Sequence, residues 1–153
     1  MKQLDKTDYR ILRMLQNNAK ATIKEIAATL GMTTTPVYER IKRMEESGYI
    51  THYVALLDRK KLGYHMVAYC NLSLQQHAQP FLRKFEEEIK AFEEVIECYH
   101  IAGMYDYLLK VIVKDMDEYQ YFITDKLATI DNIGNVQSSF IMQEIKASTA
   151  LSL

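Results

Sequence analysis

The chain has 153 residues, enough for one mid-sized domain or two small ones. Its 48% hydrophobic and 25% charged residues exclude a disordered or collagen-like chain, and no apolar run approaches the roughly twenty residues of a membrane span. The net charge of −1 hides a division: residues 1–61 hold 12 Lys/Arg against 7 Asp/Glu, whereas residues 62–153 hold 7 against 13. A basic part followed by an acidic part points to two modules, the first drawn to a polyanion. Met1–Asp5 has no apolar core of a signal peptide, so a cytoplasmic protein without membrane attachment is expected. Cys70 and Cys98 form no C-x-x-C pair and are expected to be reduced, small buried residues.

Three helices are predicted before residue 50. The first runs from about Lys6 to Gln16, with Asp5 as N-cap, Asp8 three residues on, and Ile11, Leu12 and Leu15 on one buried face. Thr22 and Glu25 form a capping box for the second, where Ile23, Ile26, Ala27 and Leu30 make the apolar stripe and Gly31 the stop. The third starts in the run Thr33-Thr34-Thr35-Pro36, where a threonine supplies the cap oxygen and proline fits the first turn. Val37, Ile41 and Met44 face inward, and Gly48 ends the helix.

Helix, short glycine-containing turn and helix is the layout of a helix-turn-helix, although a plain three-helix bundle shares it. The outer face of the third helix separates the two. Opposite Val37 on a helical wheel lie Thr35, Glu39 and Lys42, flanked by Tyr38 and Arg43, with Arg40 nearer the core edge. Hydroxyls, an aromatic and cations there suit phosphates and base edges, and Thr33, Thr34 and Thr35 bring N–H groups and hydroxyls to the helix N-terminus. Thr33, Thr34, Thr35, Tyr38, Arg40, Lys42 and Arg43 are therefore the candidate contacts to double-stranded DNA. The β-branched and aromatic stretch Tyr49–Leu57 predicts one strand or two short ones, as a wing or a connector. The charged linker Asp58–Gly63 puts the domain boundary near residue 60, giving modules 1–60 and 61–153.

The second module reads strand (His65–Leu74), helix (Gln79–Lys90), strand (Val95–Ala102), strand (Tyr107–Val113), helix from Asp115, strand (Val136–Ile145). The second helix turns Tyr119, Phe122, Ile123 and Leu127 inward. A βαββαβ order predicts one antiparallel sheet with both helices on one face, so the chain is α+β: a winged-helix-like helix-turn-helix domain and a ferredoxin-like domain. Strand Tyr107–Val113 is largely apolar on both faces, which predicts burial of the uncovered face by another subunit.

Catalytic patterns are absent. The five glycines form no dinucleotide or phosphate loop and no G-x-S-x-G occurs, so neither enzyme activity nor a cofactor is expected. Cys98 and His100 alternate onto one strand face, but a packed cysteine and a hydrogen-bonded histidine account for them without a metal. Gly103-Met104-Tyr105-Asp106 reads as a hairpin turn in which Asp satisfies local backbone, or as a loop where glycine admits a ligand close to backbone N–H groups.

In order and spacing, several of these segments resemble the leucine-responsive/asparagine-operon (Lrp/AsnC) family of transcription regulators. The resemblance rests on Leu4-Asp5-x-x-Asp8-x-x-Ile11-Leu12, Ile26-Ala27 and Val37-x-x-Arg40-Ile41-x-Arg43-Met44-Glu45-x-x-Gly48-x-Ile50. It continues through Tyr53, Ala55, Asp58, Leu62-Gly63 and Gly103-x-Tyr105-Asp106-Tyr107-Leu108-Leu109. It implies a DNA-binding regulator that dimerises, often assembles to octamers, and binds an amino-acid effector at subunit contacts. Carried over, the effector residues are Gly103, Met104, Tyr105 and Asp106, with Ser138 and Ser139 on the last strand; Met104 departs from the polar or acidic residue common there. Two other functions fit the residues, a ligand-independent architectural DNA-binding protein and a small-molecule sensor with a structural helical domain.

Overall fold

In the computed structural model, which describes residues 3–153, helix α1 (Lys6–Asn17) opens on a reciprocal cap. The Asp5 carboxylate accepts from the N–H groups of Thr7 and Asp8 at 2.8 and 2.9 Å, and the Asp8 carboxylate accepts from the Asp5 N–H at 3.0 Å. Met1 and Lys2, which open the first module in the sequence reading, lie outside the described residues. Helix α2 (Ile23–Leu30) has the Thr22/Glu25 box and ends at Gly31, whose φ of 66° is the left-handed conformation that a side chain disfavours. Helix α3 (Thr34–Glu46) follows at once. Its N-cap is Thr33, but no threonine hydroxyl caps it, so the cap oxygen expected there is not used. Ile11, Leu15, Ile26, Ala27, Val37, Ile41 and Met44 close the core of this unit.

A buried ionic cluster fastens α3 to α1. Asp8 is the one charged side chain buried among the described residues, at 1% exposure. Its Oδ1 accepts from Arg40 Nη1 and its Oδ2 from Arg43 Nη2, both at 2.7 Å, while Arg40 Nη1 also reaches Asp5 Oδ2 at 2.6 Å. A carboxylate removed from water needs such partners, because burial without them strongly disfavours the charged form.

Tyr49–Leu57 forms no strand. Val54 and Leu56 within it are 68% and 72% exposed. β-propensity describes fit to a paired pleated surface, and among the described residues no strand pairs with this segment. Tyr53 donates to Glu45 Oε1 at 2.8 Å, and burial together with this bond pushes its hydroxyl up to about 12.

The second unit is the βαββαβ sheet. Its elements are β1 (Met66–Leu74), α4 (Gln79–Ile89), β2 (Val95–His100), β3 (Tyr107–Val113), α5 (Met116–Tyr121) and β4 (Ile133–Phe140). The strand order is β2-β3-β1-β4, antiparallel throughout. After α5 the helix widens to π-type bonding over Phe122–Lys126 and tightens over Leu127–Thr129, which keeps Tyr119, Phe122 and Leu127 buried, with Ile123 packed partly against them. The last strand stops at Phe140, short of the expected Ile145. Cys70 is buried, but Cys98 is exposed, contrary to expectation, because β2 is an edge strand with little cover.

The chain divides into two compact units: up to Leu56 together with Lys146–Leu153, and Leu57–Ile145. The last residues, read from sequence as part of the second module, thus pack with the first, because past β4 they have no strand to join and instead bond to α1.

The Asp8 cluster generates a stability prediction. Asp8→Ala leaves two guanidinium groups without their buried acceptor and is expected to lower unfolding stability by about 2–3 kcal/mol, since both arginines keep partial water contact. Urea denaturation followed by circular dichroism measures this; a loss within ~0.5 kcal/mol would make the cluster an ordinary surface pair.

Candidate nucleic-acid interface and effector turn

The seven residues assigned to DNA contact separate into two groups. Thr33, Thr34, Thr35, Tyr38 and Lys42 are exposed along the N-terminus and outer face of α3. Lys42 has only a loose partner, Glu46 one turn on at 3.9 Å. Arg40 and Arg43 are half-buried and spent on Asp8 and Asp5. The Asp5 carboxyl lies below its ordinary value, mainly through the Asp8 N–H bond and then through Arg40, and Arg40 is correspondingly raised by the two carboxylates. The two arginines thus hold the helix by their guanidinium groups, while the free cation and hydroxyls face outward. Sequence spacing alone missed this, since Asp8 lies 32 and 35 residues from its partners.

The turn between β2 and β3 has Gly103 at φ 143°, a conformation that only glycine adopts readily. Met104 beside it is 89% exposed. The Tyr105 hydroxyl donates to Gln137 Oε1 on β4. Asp106 is engaged by its own fold: its Oδ2 accepts from the Leu74 N–H at 2.7 Å and lies 3.1 Å from His77 Nε2, and its N–H donates to Leu72 O at 2.8 Å. The Leu74 bond, then His77, holds its carboxyl below the ordinary range.

Ser138 and Ser139 do not converge. Ser138 pairs with Cys70 and Ser139 with Tyr69, so they project from opposite faces of the sheet. Ser138 turns to the helix layer, bonded to the Tyr119 hydroxyl and near Cys70. Burial and Cys70 raise the Tyr119 hydroxyl above its usual range. Ser139 lies on the outer face with Gln137, the partner of Tyr105. Gln137 is the residue the sequence reading missed; its signal was the period-two alternation that puts it on the face of Ser139.

A helix-turn-helix unit with a polar α3 face, joined to a ferredoxin-like unit, defines the class as a DNA-binding transcription regulator with an attached ligand-binding domain. Residues 4–51 match a winged helix-turn-helix DNA-binding domain, and residues 67–151 match the Lrp/AsnC ligand binding domain. The chain belongs to the Lrp/AsnC family of transcription regulators. It is 33% identical to the Bkd operon transcriptional regulator of Pseudomonas aeruginosa, with 98% of each chain covered. It is 38% identical to the proline dehydrogenase transcriptional activator of Rhodobacter capsulatus, over 98% of this chain and 97% of the other. Among solved structures it is similar to a transcriptional regulator of Neisseria meningitidis in complex with L-methionine, with a TM-score of 0.94, 31% identity and coverage of 98% and 97%. Among the described residues no helix is long and apolar enough to cross a membrane.

The Asp106 geometry fixes a pH dependence. A carboxyl held low in the folded state contributes stability that is present above its unfolded value, near 3.8, and is lost as pH falls through the lower folded value. Asp106→Asn is therefore expected to be less stable than wild type at pH 5 and above, by a margin that narrows below about pH 4. Urea midpoints across this range test it; a margin independent of pH would detach the effect from the carboxylate.

Proposed function

We propose that the chain regulates transcription by reading double-stranded DNA through Thr33, Thr34, Thr35, Tyr38 and Lys42, with Arg40 and Arg43 setting the angle of α3. The observation that carries this reading is the division of α3 itself: its arginines are neutralised by Asp8 and Asp5, and its opposite face is open. Uncapped N–H groups at the start of α3 support a phosphate contact there. The protein acts by binding rather than by catalysis, in the cytoplasm, where such a reader meets its DNA.

The effector is an amino acid with an uncharged side chain, bound at a subunit contact around Gly103, Met104, Tyr105 and Asp106 with Ser139 and Gln137. The Neisseria regulator's complex with L-methionine supports this class, and so does the exposed thioether of Met104 beside an aromatic. Asp106 positions the turn through Leu74 and contributes negative charge near the effector's ammonium group. Ser138 is outside the site. The protein works as a homodimer that assembles further, to an octamer. The outer sheet face supports this: Leu108 and Ile112 lie there only half-buried, around the ion pair Lys110–Glu97 of 2.8 Å. Two α3 helices related by a two-fold axis then read half-sites about one DNA turn, ~34 Å, or a multiple apart. In domain terms, residues 1–60 carry DNA binding, and residues from 61 onward carry effector binding and assembly.

Titration of labelled operator fragments at several salt concentrations tests the interface. Lys42→Ala is expected to reduce the slope of log affinity against log salt by about 1 per subunit. An unchanged slope and affinity would move the phosphate contact off Lys42. Calorimetry with the twenty amino acids tests the effector: heat with L-methionine that is lost in Gly103→Val supports the turn, and equal heat in both proteins removes the site from it.

A further inference from the structure

We infer that Lys146–Leu153 is a docking strap held on α1, and that it couples effector occupancy to the DNA-reading unit. The docking stands alone; the coupling rests on the function proposed above.

The seat recognises main chain. The Gln16 side-chain amide pairs with both backbone groups of Leu151, donating from Nε2 to the carbonyl at 3.2 Å and accepting its N–H at Oε1 at 2.6 Å. One turn earlier on the same helix face, Arg13 Nε donates to the carbonyl of Leu153. A primary amide that satisfies both groups of one residue imitates a neighbouring β-strand, the mode by which extended peptides are held with little regard to side chain. The strap fits that mode, since Ala147, Ser148, Thr149, Ala150 and Ser152 are small and Lys146 is its one charged side chain. Leu151 and Leu153 of the strap form one wall of a cavity of about 750 Å³, whose other walls include Leu12, Leu15, Ile50 and Val54.

The coupling follows from connectivity. The chain passes between the two compact units twice, after Leu56 and after Ile145. The second crossing begins just past β4, the strand that carries Gln137 and Ser139. It ends on α1 eight residues, about 12 Å, from Asp8, the anchor of α3. A shift of β4 on effector binding is thus transmitted through five residues, 141–145, to the helix that orients the recognition helix.

Hydrogen exchange read by mass spectrometry, with operator titration with and without L-methionine, tests both parts on three proteins: the full chain, the chain ended at Ile145, and Gln16→Ala in the full chain. Exchange in residues 11–17 is expected to quicken about tenfold without the strap, and by less in Gln16→Ala. The ratio of DNA affinities with and without methionine is expected to fall toward 1 in both variants, with affinity in its absence changed less than about twofold. Unaltered exchange in both variants overturns the docking, and quickened exchange with an intact methionine ratio overturns the coupling. If the full chain itself shows no methionine response, the effector assignment fails, and exchange still decides the docking.

Discussion

One buried carboxylate organises the DNA-reading unit. Asp8 combines three tasks: it closes the cap of α1 on Asp5, accepts Arg40, and accepts Arg43. Each alone is an ordinary bond, but together they satisfy a charge that burial otherwise disfavours, and they do so only when α1 and α3 meet at one angle. The apolar core of Ile11, Ile26, Val37 and Met44 supplies the attraction between these helices. The ionic cluster supplies their rotation, and rotation decides which α3 side chains a DNA groove meets.

The cluster also limits how much charge α3 brings to DNA. Of its three cations, two are neutralised internally and Lys42 remains. Affinity therefore has to draw on hydroxyls, on the open helix start and on basic residues elsewhere in the unit. The acidic second unit adds none of this charge. Its polar investment lies inside, where Cys70, Tyr119 and Ser138 bond to one another between sheet and helix layer. Those bonds orient α5 against β4, and they leave Gln137 and Ser139 as the groups β4 offers on its other face.

How much of this was legible in the sequence follows from the range of each interaction. Caps at Asp5 and Thr22, the stop at Gly31 and the βαββαβ order are written within a few residues, and all are present in the structure. Tyr49–Leu57 misled because β-branched residues report suitability for a strand, whereas a strand also needs a neighbour. The pairing of Arg40 and Arg43 with Asp8 could not be read on a helical wheel, since a wheel has no place for a carboxylate more than thirty residues away. The opposed directions of Ser138 and Ser139 were legible, because adjacent strand residues always alternate. The return of the last residues to α1 had no local signal at all: main-chain recognition by Gln16 leaves no pattern in the segment recognised.

The claim that Arg43 acts on DNA through Asp8 is tested most directly by a double-mutant cycle of Asp8→Asn and Arg43→Gln, read as operator affinity at two salt concentrations. If the arginine positions α3, Arg43→Gln weakens binding only while Asp8 is present, and the double variant binds no worse than Asp8→Asn alone. If Arg43→Gln instead costs the same in both backgrounds and lowers the salt slope by about 1 in each, the arginine meets phosphate itself and the account is contradicted.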